Sequence, residues 1–460
     1  MSRSLPNPRL EDCLSLLYRA CRECYHWKGS RFIVTLDSAD SGIFKLASVG
    51  PYLDAFSAIT DEMSLLERSN LIFLDKCLHE QWGLGQNVIL NWCPETDGVD
   101  LLVVPHYAIA AYSKQMTADG DASEQTASRP SEDFFKSLIS GPRLLSAKQI
   151  ERVARLLGIE REHLVLRAPL TGRRSEQRII EKMIKRYSIT YVPCRGVALF
   201  DIVGFSLLSP FEQMTQLNSL SYSVNLAQSR MLNKEIGIDF ARSSTGDGFY
   251  LWNRDLNLDA NVNLYHFMHL VLADNAIARR KADLNTVPKL RACFHMGSSY
   301  EFHQAEGLNP TLYNYIVGDV TVELARMIDR ALPGQILVGE FSSEVLLKNG
   351  TMSGQVTLDS IDFVLKATRS LVQFNGLELS GERIESIKCY LTGARLNSGE
   401  FTVRRITIND KHGMSRNVFN AKVNIYRRHA EPILLGIEDR MLEASNMPAD
   451  HSEHLLRPES

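Results

Sequence analysis

No run of apolar residues in this 460-residue chain approaches the roughly 20 that a membrane-spanning helix requires. The opening residues, MSRSLPNPRLEDC, lack the apolar core of a secretory signal peptide. Neither sign of charge dominates, since 51 Lys and Arg stand against 54 Asp and Glu. The net charge of −3 gives no general attraction to nucleic acid or to anionic membranes. We therefore expect a cytoplasmic protein without nucleic-acid partners and without stable membrane insertion.

Cysteine is scarce and scattered, with eight residues of which only Cys21 and Cys24 form a C-x-x-C pair. No second pair lies at the spacing of a zinc site, and His26 is too close to Cys24 to complete one. Reduced cysteines packed on a helix are the favoured interpretation. Metal or redox use of the pair is the alternative.

The length predicts roughly three domains. The clearest boundary is the small, polar segment 117–131, TADGDASEQTASRPS, which predicts a flexible linker or a long disordered loop. Before it, a helical start at Leu10–Arg22 and a strand of β-branched residues at Phe32–Leu36 indicate that residues 1–116 form an α/β module. The sequence does not indicate what that module does.

Residues 132–192 are mainly helical, with apolar residues at i, i+3 and i+4, and lead into a strand. We interpret them as a helical connector; the alternative is a helix that sets the relative position of two subunits. Residues 193–345 alternate strands and helices and have room for a core. Residues 353–440 are strand-rich, and the polar residues 449–460 predict a disordered tail.

An aspartate ends an apolar strand in Phe200-Asp-Ile-Val-Gly-Phe205. A carboxylate at a strand end, beside the turn that Gly204 allows, suits Mg²⁺, which takes oxygen ligands and contacts substrate phosphates. Aspartate is also a common helix cap and turn residue, and Asp201 by itself fits that interpretation better.

A second aspartate lies between two glycines in Ser244-Thr-Gly-Asp-Gly-Phe249. Asp-Gly is a strong hairpin signal, so Asp247 by itself predicts a turn. Alternatively, the glycines let a metal ion and a triphosphate approach the backbone. Carboxylates on neighbouring strands can hold two ions, of which one helps to deprotonate an attacking hydroxyl and the other neutralises a leaving pyrophosphate.

A third motif, Val317–Met327, opens a helix at a glycine and is followed by a strand that ends at Val338. Arg326 lies about two turns into the helix. Arginine suits a transition state whose negative charge spreads over phosphoryl oxygens. On an isolated helix, however, an arginine is usually solvated or salt-bridged.

Together, in this order and spacing, the motifs resemble the class III nucleotidyl cyclase homology domain. Cys293-Phe-His-Met-Gly297 and Pro333-Gly-Gln-Ile-Leu-Val338 extend the resemblance to about 150 residues. It implies an α+β chain with a ferredoxin-like core of βαββαβ type. It also implies that Asp201, Asp247 and the backbone carbonyl of Ile202 bind two Mg²⁺ or Mn²⁺ ions, and that Arg326 stabilises charge on the α-phosphate.

The same resemblance implies a homodimer with two sites, each taking its metals from one subunit and Arg326 from the other. The 3′-hydroxyl attacks the α-phosphate of a nucleoside triphosphate, and pyrophosphate leaves. Phe205 and Thr321 are further candidates for substrate binding.

Three positions depart from the family pattern. Val322 replaces an Asn four residues before Arg326, so its polar group is missing or comes from Thr321 or Glu323. Ser243 and Tyr315 replace the Lys and Asp that read adenine. Because a base is selected by hydrogen bonds to its edge, these two replacements argue against ATP and mark both positions as base-pocket candidates.

The segments Ile408-Asn-Asp-Lys-His-Gly413, Val418–Tyr426 and Leu434-Leu-Gly436 resemble the C-terminal sensor domain of bacterial defence cyclases. With the altered purine readers, the chain is similar to the pyrimidine cyclases of the Pycsar anti-phage system. This implies conversion of CTP, or less favourably UTP, to a 3′,5′-cyclic monophosphate that acts on a separate effector protein.

Two alternatives stay open. One is an adenylate or guanylate cyclase with unusual base contacts. The other is an inactive cyclase-like module that binds nucleotide for signalling, which Val322 favours, whereas Asp201, Asp247 and Arg326 argue against it.

Overall fold

The computed structural model describes residues 63–113, 132–282, 285–306, 309–346, 354–398, 401–410, 413–444 and 449–455. The predicted helix at Leu10–Arg22, the strand at Phe32–Leu36, the Cys21–Cys24 pair and the linker 117–131 lie outside the described residues.

The helices of the described residues are α1 (Leu65–Trp82), α2 (His106–Ser113), α3 (Glu132–Ser140), α4 (Ala147–Leu157), α5 (Arg174–Arg186), α6 (Pro210–Asn233), α7 (Leu258–Lys281), α8 (Asp319–Arg330), α9 (Ser360–Ser370) and α10 (Asp439–Ala444). The strands are β1 (Asn87–Pro94), β2 (Gly98–Pro105), β3 (Glu162–Val165), β4 (Ile189–Ile202), β5 (Phe240–Ser244), β6 (Gly248–Asn253), β7 (Leu290–Glu306), β8 (Asn309–Val317), β9 (Ile336–Gly339), β10 (Ser342–Leu346), β11 (Gln355–Asp359), β12 (Glu378–Leu379), β13 (Glu382–Leu391), β14 (Val403–Asn409), β15 (Ser415–Arg427), β16 (Ile433–Leu435) and β17 (Ala449–Leu455).

A three-stranded antiparallel sheet, β1-β2-β3, organises the N-terminal part. Helices α1 and α5 cover one face, with Leu74 and Ile180 fully buried, and α3 and α4 cover the other, with Ile139 and Ile150 fully buried. Most of residues 132–192 therefore belongs to this unit, where the sequence predicts a connector. The reason is that the apolar faces of α4 and α5 are buried against the two faces of the sheet.

A 12-stranded sheet dominates the rest of the described chain, with a main path of β12-β13-β15-β9-β7-β4-β6-β5, and β10 and β11 pair in a separate two-stranded sheet. In chain order, β4-α6-β5-β6-α7-β7 make a βαββαβ unit whose strands lie side by side as β7-β4-β6-β5. Helices α6, α7 and α9 contribute to the hydrophobic core on one face of the sheet, here named core A. Helix α8 contributes to the core on the other face, core B. The molecule is thus a mixed α/β protein.

The strand-rich C-terminal residues continue this sheet and share its cores, although the sequence predicts separate units at 193–345 and 353–440. Strand β15 pairs with β9, placing Phe419 opposite Val338, and both residues are buried. Core A includes residues of both predicted units. Residues 449–455 also differ from the predicted disordered tail 449–460, because β17 pairs with β14 and satisfies an otherwise open sheet edge.

Among the described helices, none combines the length and hydropathy needed to cross a bilayer.

Candidate metal and nucleotide site

Asp201 lies at the end of β4, which is flanked by β6 and β7, and it is buried. Arg291 stands directly opposite on β7 and donates from Nε to Asp201 Oδ2 at 2.6 Å. A second guanidinium nitrogen of Arg291 donates to the carbonyl of Ala331 at 3.1 Å, which fixes its orientation. Burial raises the pKa of the Asp201 carboxyl, and Arg291 acts in the opposite direction.

Asp247 occupies a two-residue hairpin between β5 and β6, closed by a hydrogen bond from Thr245 N to Gly248 O at 3.0 Å. Gly246 has φ of 98°, a positive value that two-residue hairpin turns need and that residues other than glycine rarely adopt. Gly248 lies so close to β4 that an added Cβ would stand 1.9 Å from the carbonyl oxygen of Phe200. The structure therefore requires both glycines of the motif, Gly246 for its positive φ and Gly248 for its close approach to β4.

The hairpin brings Asp247 beside Asp201. Ile202 N donates to the carbonyl of Asp247 at 3.0 Å, and the negative charge of Asp247 further raises the pKa of Asp201. Two carboxylates this close repel each other, and Arg291 supplies a single positive charge. The pair fits divalent cations, because bound ions would relieve that repulsion.

The protein offers a small set of metal ligands at this place. In the part of the chain that the structure describes, no group of three or more His, Cys, Asp or Glu side chains could hold a metal. Two carboxylates with a backbone carbonyl leave several octahedral positions of Mg²⁺ to phosphate oxygens and water, which is how Mg²⁺ is commonly held.

The chain leaves the pair through a tight turn. Gly204 has φ of 71°, and Phe205 begins a short 3-10 helix that leads to α6. A capping box between Ser209 and Glu212 starts α6. The half-buried ring of Phe205 packs against core A, so its role in the fold is clear without a substrate.

Thr321 lies in the first turn of α8, and its hydroxyl donates to the carbonyl of Gly318 at 2.9 Å. Its own carbonyl accepts a hydrogen bond from the Tyr250 hydroxyl at 3.2 Å. Val322, the next residue, is half exposed and presents no polar group. The hydroxyl of Thr321 is thus used within its own helix.

Arg326 contacts the C-terminal part of the chain and not the aspartate pair. Its Nε lies 3.5 Å from Oδ2 of Asp410, which follows β14. Asp410 also accepts a hydrogen bond from Arg416 at 3.0 Å. The structure therefore brings Asp201, Ile202 and Asp247 together within one chain, whereas Arg326 belongs to a separate cluster.

The two base-pocket candidates lie on different faces of the sheet. Ser243 follows Ala241 by two residues on β5, so strand alternation directs it to the face of core B. Ile316 of β8 is buried in core B, which directs the neighbouring Tyr315 to the opposite face. There Tyr315 stacks on Phe302 at a centroid distance of 5.7 Å.

Tyr250, which sequence reasoning missed, stands directly opposite Ser243 in the β5–β6 register. Burial raises the pKa of its phenol, and its hydrogen bond to Thr321 ties β6 to the start of α8.

Arg291 and Asp410 were missed as well. Only the register of β7 against β4 reveals Arg291, and only the packing of the β14–β15 turn against α8 reveals Asp410.

The sequence matches no protein-family model and no curated protein. Solved structures with some likeness are guanylyl and adenylyl cyclases. The guanylate cyclase domain of RhGC from Catenaria anguillulae, in complex with GTP, is 10% identical over 52% of this chain and 99% of its own, with a TM-score of 0.30. The adenylyl cyclase CyaB from P. aeruginosa is 12% identical over 37% of this chain and 95% of its own, with a TM-score of 0.26.

A bacterial light-regulated adenylyl cyclase is 10% identical over 64% of this chain and 90% of its own, with a TM-score of 0.26. At these scores and identities, the likeness does not decide what this chain does.

Proposed function

We propose that this chain is a two-metal nucleotidyl cyclase that converts a pyrimidine nucleoside triphosphate, CTP in preference to UTP, to its 3′,5′-cyclic monophosphate. The observation that carries the proposal is the meeting of Asp201 and Asp247 where β4 pairs with β6. A buried carboxylate beside a second one is costly without cations, so this arrangement favours a metal site over two unrelated turn residues.

Each residue of the pair has a task in this proposal. Asp201, Asp247 and the carbonyl of Ile202 would hold two Mg²⁺ or Mn²⁺ ions. Those ions, when bound, lower the pKa of the attacking 3′-hydroxyl and neutralise the pyrophosphate. Arg291 donates a direct hydrogen bond to Asp201 and so favours the ionised carboxylate, the form that binds a cation, against the opposing effect of burial.

Arg326 completes the site from a second copy of the chain, where it stabilises negative charge on the α-phosphate. In support, Arg326 contacts Asp410 in its own chain and not the aspartate pair. We accordingly propose a homodimer with two sites.

Support for a pyrimidine comes from the surroundings of Ser243. Its partner in the register is Tyr250, whose ring is held by the hydrogen bond to Thr321. Neither side chain carries the ammonium group with which the Lys of adenylate cyclases reads adenine, which argues against ATP. The proposed biological role, a cytoplasmic second-messenger synthase in bacterial anti-phage defence with a separate effector, rests on the sequence resemblance.

A second candidate function is an inactive module that binds nucleotide for signalling. Two ion pairs favour it: Arg291 occupies one oxygen of Asp201, and Asp410 contacts Arg326. In an inactive module, these contacts would be permanent.

The deciding experiment incubates the purified protein with Mn²⁺ and each of the four nucleoside triphosphates, and identifies products by mass spectrometry. Cyclic CMP or cyclic UMP supports the proposal. Cyclic AMP or cyclic GMP alone would contradict the pyrimidine substrate but keep the cyclase. No product from any nucleotide favours the inactive module.

Complementation tests the shared site. Asp201→Ala and Arg326→Ala chains should each be inactive as homodimers, with turnover reduced about 100-fold or more. Co-expressed with different affinity tags, they should form heterodimers with one intact site and about half the wild-type turnover per dimer. Inactive heterodimers would contradict a site shared between subunits.

A further inference from the structure

Four charged side chains link α8 to the turn between β14 and β15. Glu323 and Arg326 lie one turn apart on α8 and so share a face. Asp410 and Arg416 come from either side of the turn, here named the C-terminal turn. The Asp410 carboxylate also accepts a hydrogen bond from Met414 N at 3.0 Å, so it is fixed by the backbone of its own turn.

The contacts within this cluster are unequal. Arg416 forks onto Glu323, with nitrogen–oxygen distances of 2.7 and 3.2 Å, and reaches Asp410 at 3.0 Å. Arg326 approaches the same Asp410 oxygen only to 3.5 Å, through Nε. Charge-assisted hydrogen bonds are usually about 2.7–2.9 Å long, so Asp410 is paired first with Arg416 and holds Arg326 loosely.

We infer that Asp410 is a positioning residue for Arg326, directing it towards a triphosphate bound by a second copy of the chain; this rests on the proposed cyclase function. Nε makes the 3.5 Å contact of Arg326 with Asp410, so the end of the guanidinium formed by its two terminal nitrogens can still bind phosphoryl oxygens as a fork. Asp410 shares one oxygen between Arg416 at 3.0 Å and Arg326 at 3.5 Å, and this long contact lets Arg326 exchange Asp410 for a phosphate.

The geometry favours positioning over inhibition. An inhibitory contact would neutralise Arg326 with short, paired hydrogen bonds, and that arrangement belongs to Arg416 and Glu323 instead. Val322, one turn before Arg326, offers no polar group that could orient it. Because arginine has a long, flexible side chain, even a loose tether reduces the freedom that it loses on reaching the transition state.

The test uses full-length chains and the substitution Asp410→Asn, which keeps an acceptor for Met414 N–H but removes the charge. In the homodimer, we expect kcat to fall about tenfold and KM to change less than about twofold, because positioning acts mainly in the transition state. An unchanged or raised kcat would overturn the inference, and a raised kcat would identify the contact as inhibitory.

Heterodimers of Asp201→Ala and Arg326→Ala chains separate positioning from a structural role, since their single intact site takes Arg326 from the Asp201→Ala chain. Asp410→Asn in that chain should lower kcat about tenfold, and in the other chain it should change kcat less than about twofold. Equal losses from both chains would mean a structural role and overturn the inference, as would heterodimers that fail to complement.

Glu340→Gln is the matched control. Glu340 forms an ion pair with Arg405 of β14 at 2.8 Å, and this pair includes no residue of α8. The substitution should leave kcat within about twofold of wild type. If Asp410→Asn does not fold, as judged by circular dichroism, Asp410→Ser takes its place.

A reading independent of turnover is the ¹⁵N NMR signal of Arg326 Nε–H, which should exchange faster with water in the Asp410 variant. An unchanged exchange rate would overturn the inference. If the wild-type protein yields no cyclic nucleotide, the proposed function itself is refuted. If the wild type is active and the Asp410 variant has the same kcat, only the inference about Asp410 is refuted.

Discussion

At the scale of single residues, Arg291 compensates the negative charge of the aspartate pair when no metal is bound. Its guanidinium donates to Asp201 at 2.6 Å in a mostly buried setting, with 26% of the Arg291 side chain and 10% of the Asp201 side chain exposed. Removing one partner of a buried ion pair leaves an uncompensated charge. Divalent cations would supply the missing compensation.

We therefore expect Arg291→Met to lower the free energy of unfolding by about 3 kcal/mol in the presence of EDTA. Mn²⁺ should restore part of that loss, because the ions bind the folded state only. Calorimetry with and without Mn²⁺ measures both effects. Arg254→Met, which removes an exposed pair with Asp239, is the control and should cost less than about 1 kcal/mol. Equal melting of wild type and Arg291→Met in EDTA would contradict this account.

Buried histidines predict a pH dependence of stability. Burial lowers the pKa of His266 on α7 to about 3, below the usual 6.5, and its Nε2 lies 2.8 Å from Ser370 Oγ. Burial also lowers the pKa of the neighbouring His269. As pH falls below 6.5, the unfolded chain takes up protons that the folded chain does not, so unfolding becomes easier.

Each such histidine should reduce the free energy of unfolding by about 1.4 kcal/mol per pH unit, in a window from 6.5 down towards the folded pKa. For His266→Gln, we expect this slope to be smaller by the contribution of one proton. Urea denaturation at several pH values between 6.5 and 5 measures the slope. An identical slope in wild type and variant would show that His266 is not buried as a neutral ring.

At the scale of elements, the hairpin that carries Asp247 depends on close contact between β4 and β6. An added methyl group at Gly248 would collide with backbone, the carbonyl of Phe200, which no side-chain movement can relieve. The collision would displace Asp247 from Asp201, so both stability and the metal pair should suffer.

Gly248→Ala should lower the free energy of unfolding by about 3 kcal/mol and abolish cyclic nucleotide formation. Gly237→Ala is the matched control, because no atom lies within 4 Å of the added methyl group and φ is not positive there. It should change stability by less than about 1 kcal/mol. Chemical denaturation and product formation are the measurements, and a stable, active Gly248→Ala protein would refute the close contact.

At the scale of the whole molecule, the central sheet joins the proposed catalytic strands to the C-terminal strands. Strand β9 lies between β7 and β15 and pairs with both. The buried amide of Asn420 on β15 links Gln335, before β9, to Thr392, which follows β13. Cutting the chain after residue 345 would open the edge of β9 and expose core A.

We expect a fragment of residues 193–345 to aggregate or remain unfolded, while a fragment of residues 186–460 stays soluble. Size-exclusion chromatography and near-ultraviolet circular dichroism of the two fragments check this. A soluble 193–345 fragment with native-like aromatic signals would show that the shorter segment has a sufficient core of its own.

Local features of the site could be predicted from the sequence because they depend on neighbouring residues. Asp201 ends a strand, Asp247 lies in a glycine hairpin and Arg326 lies in a helix, as their motifs indicate. The sequence marks Ser243 and Tyr315 as base-pocket candidates, but it does not give the faces of the sheet on which they lie. Pairing register and the packing of distant segments have no local signature.

The sequence alone therefore identifies Asp201 and Asp247 as two candidate metal ligands. Only the tertiary structure decided that Arg291 of β7 pairs with Asp201, that Tyr315 faces away from Ser243, and that Asp410 contacts Arg326. It also decided that two predicted domains share one sheet. The physical reason is that each of these features depends on contacts between segments far apart in the chain, which buried surface and strand register select together.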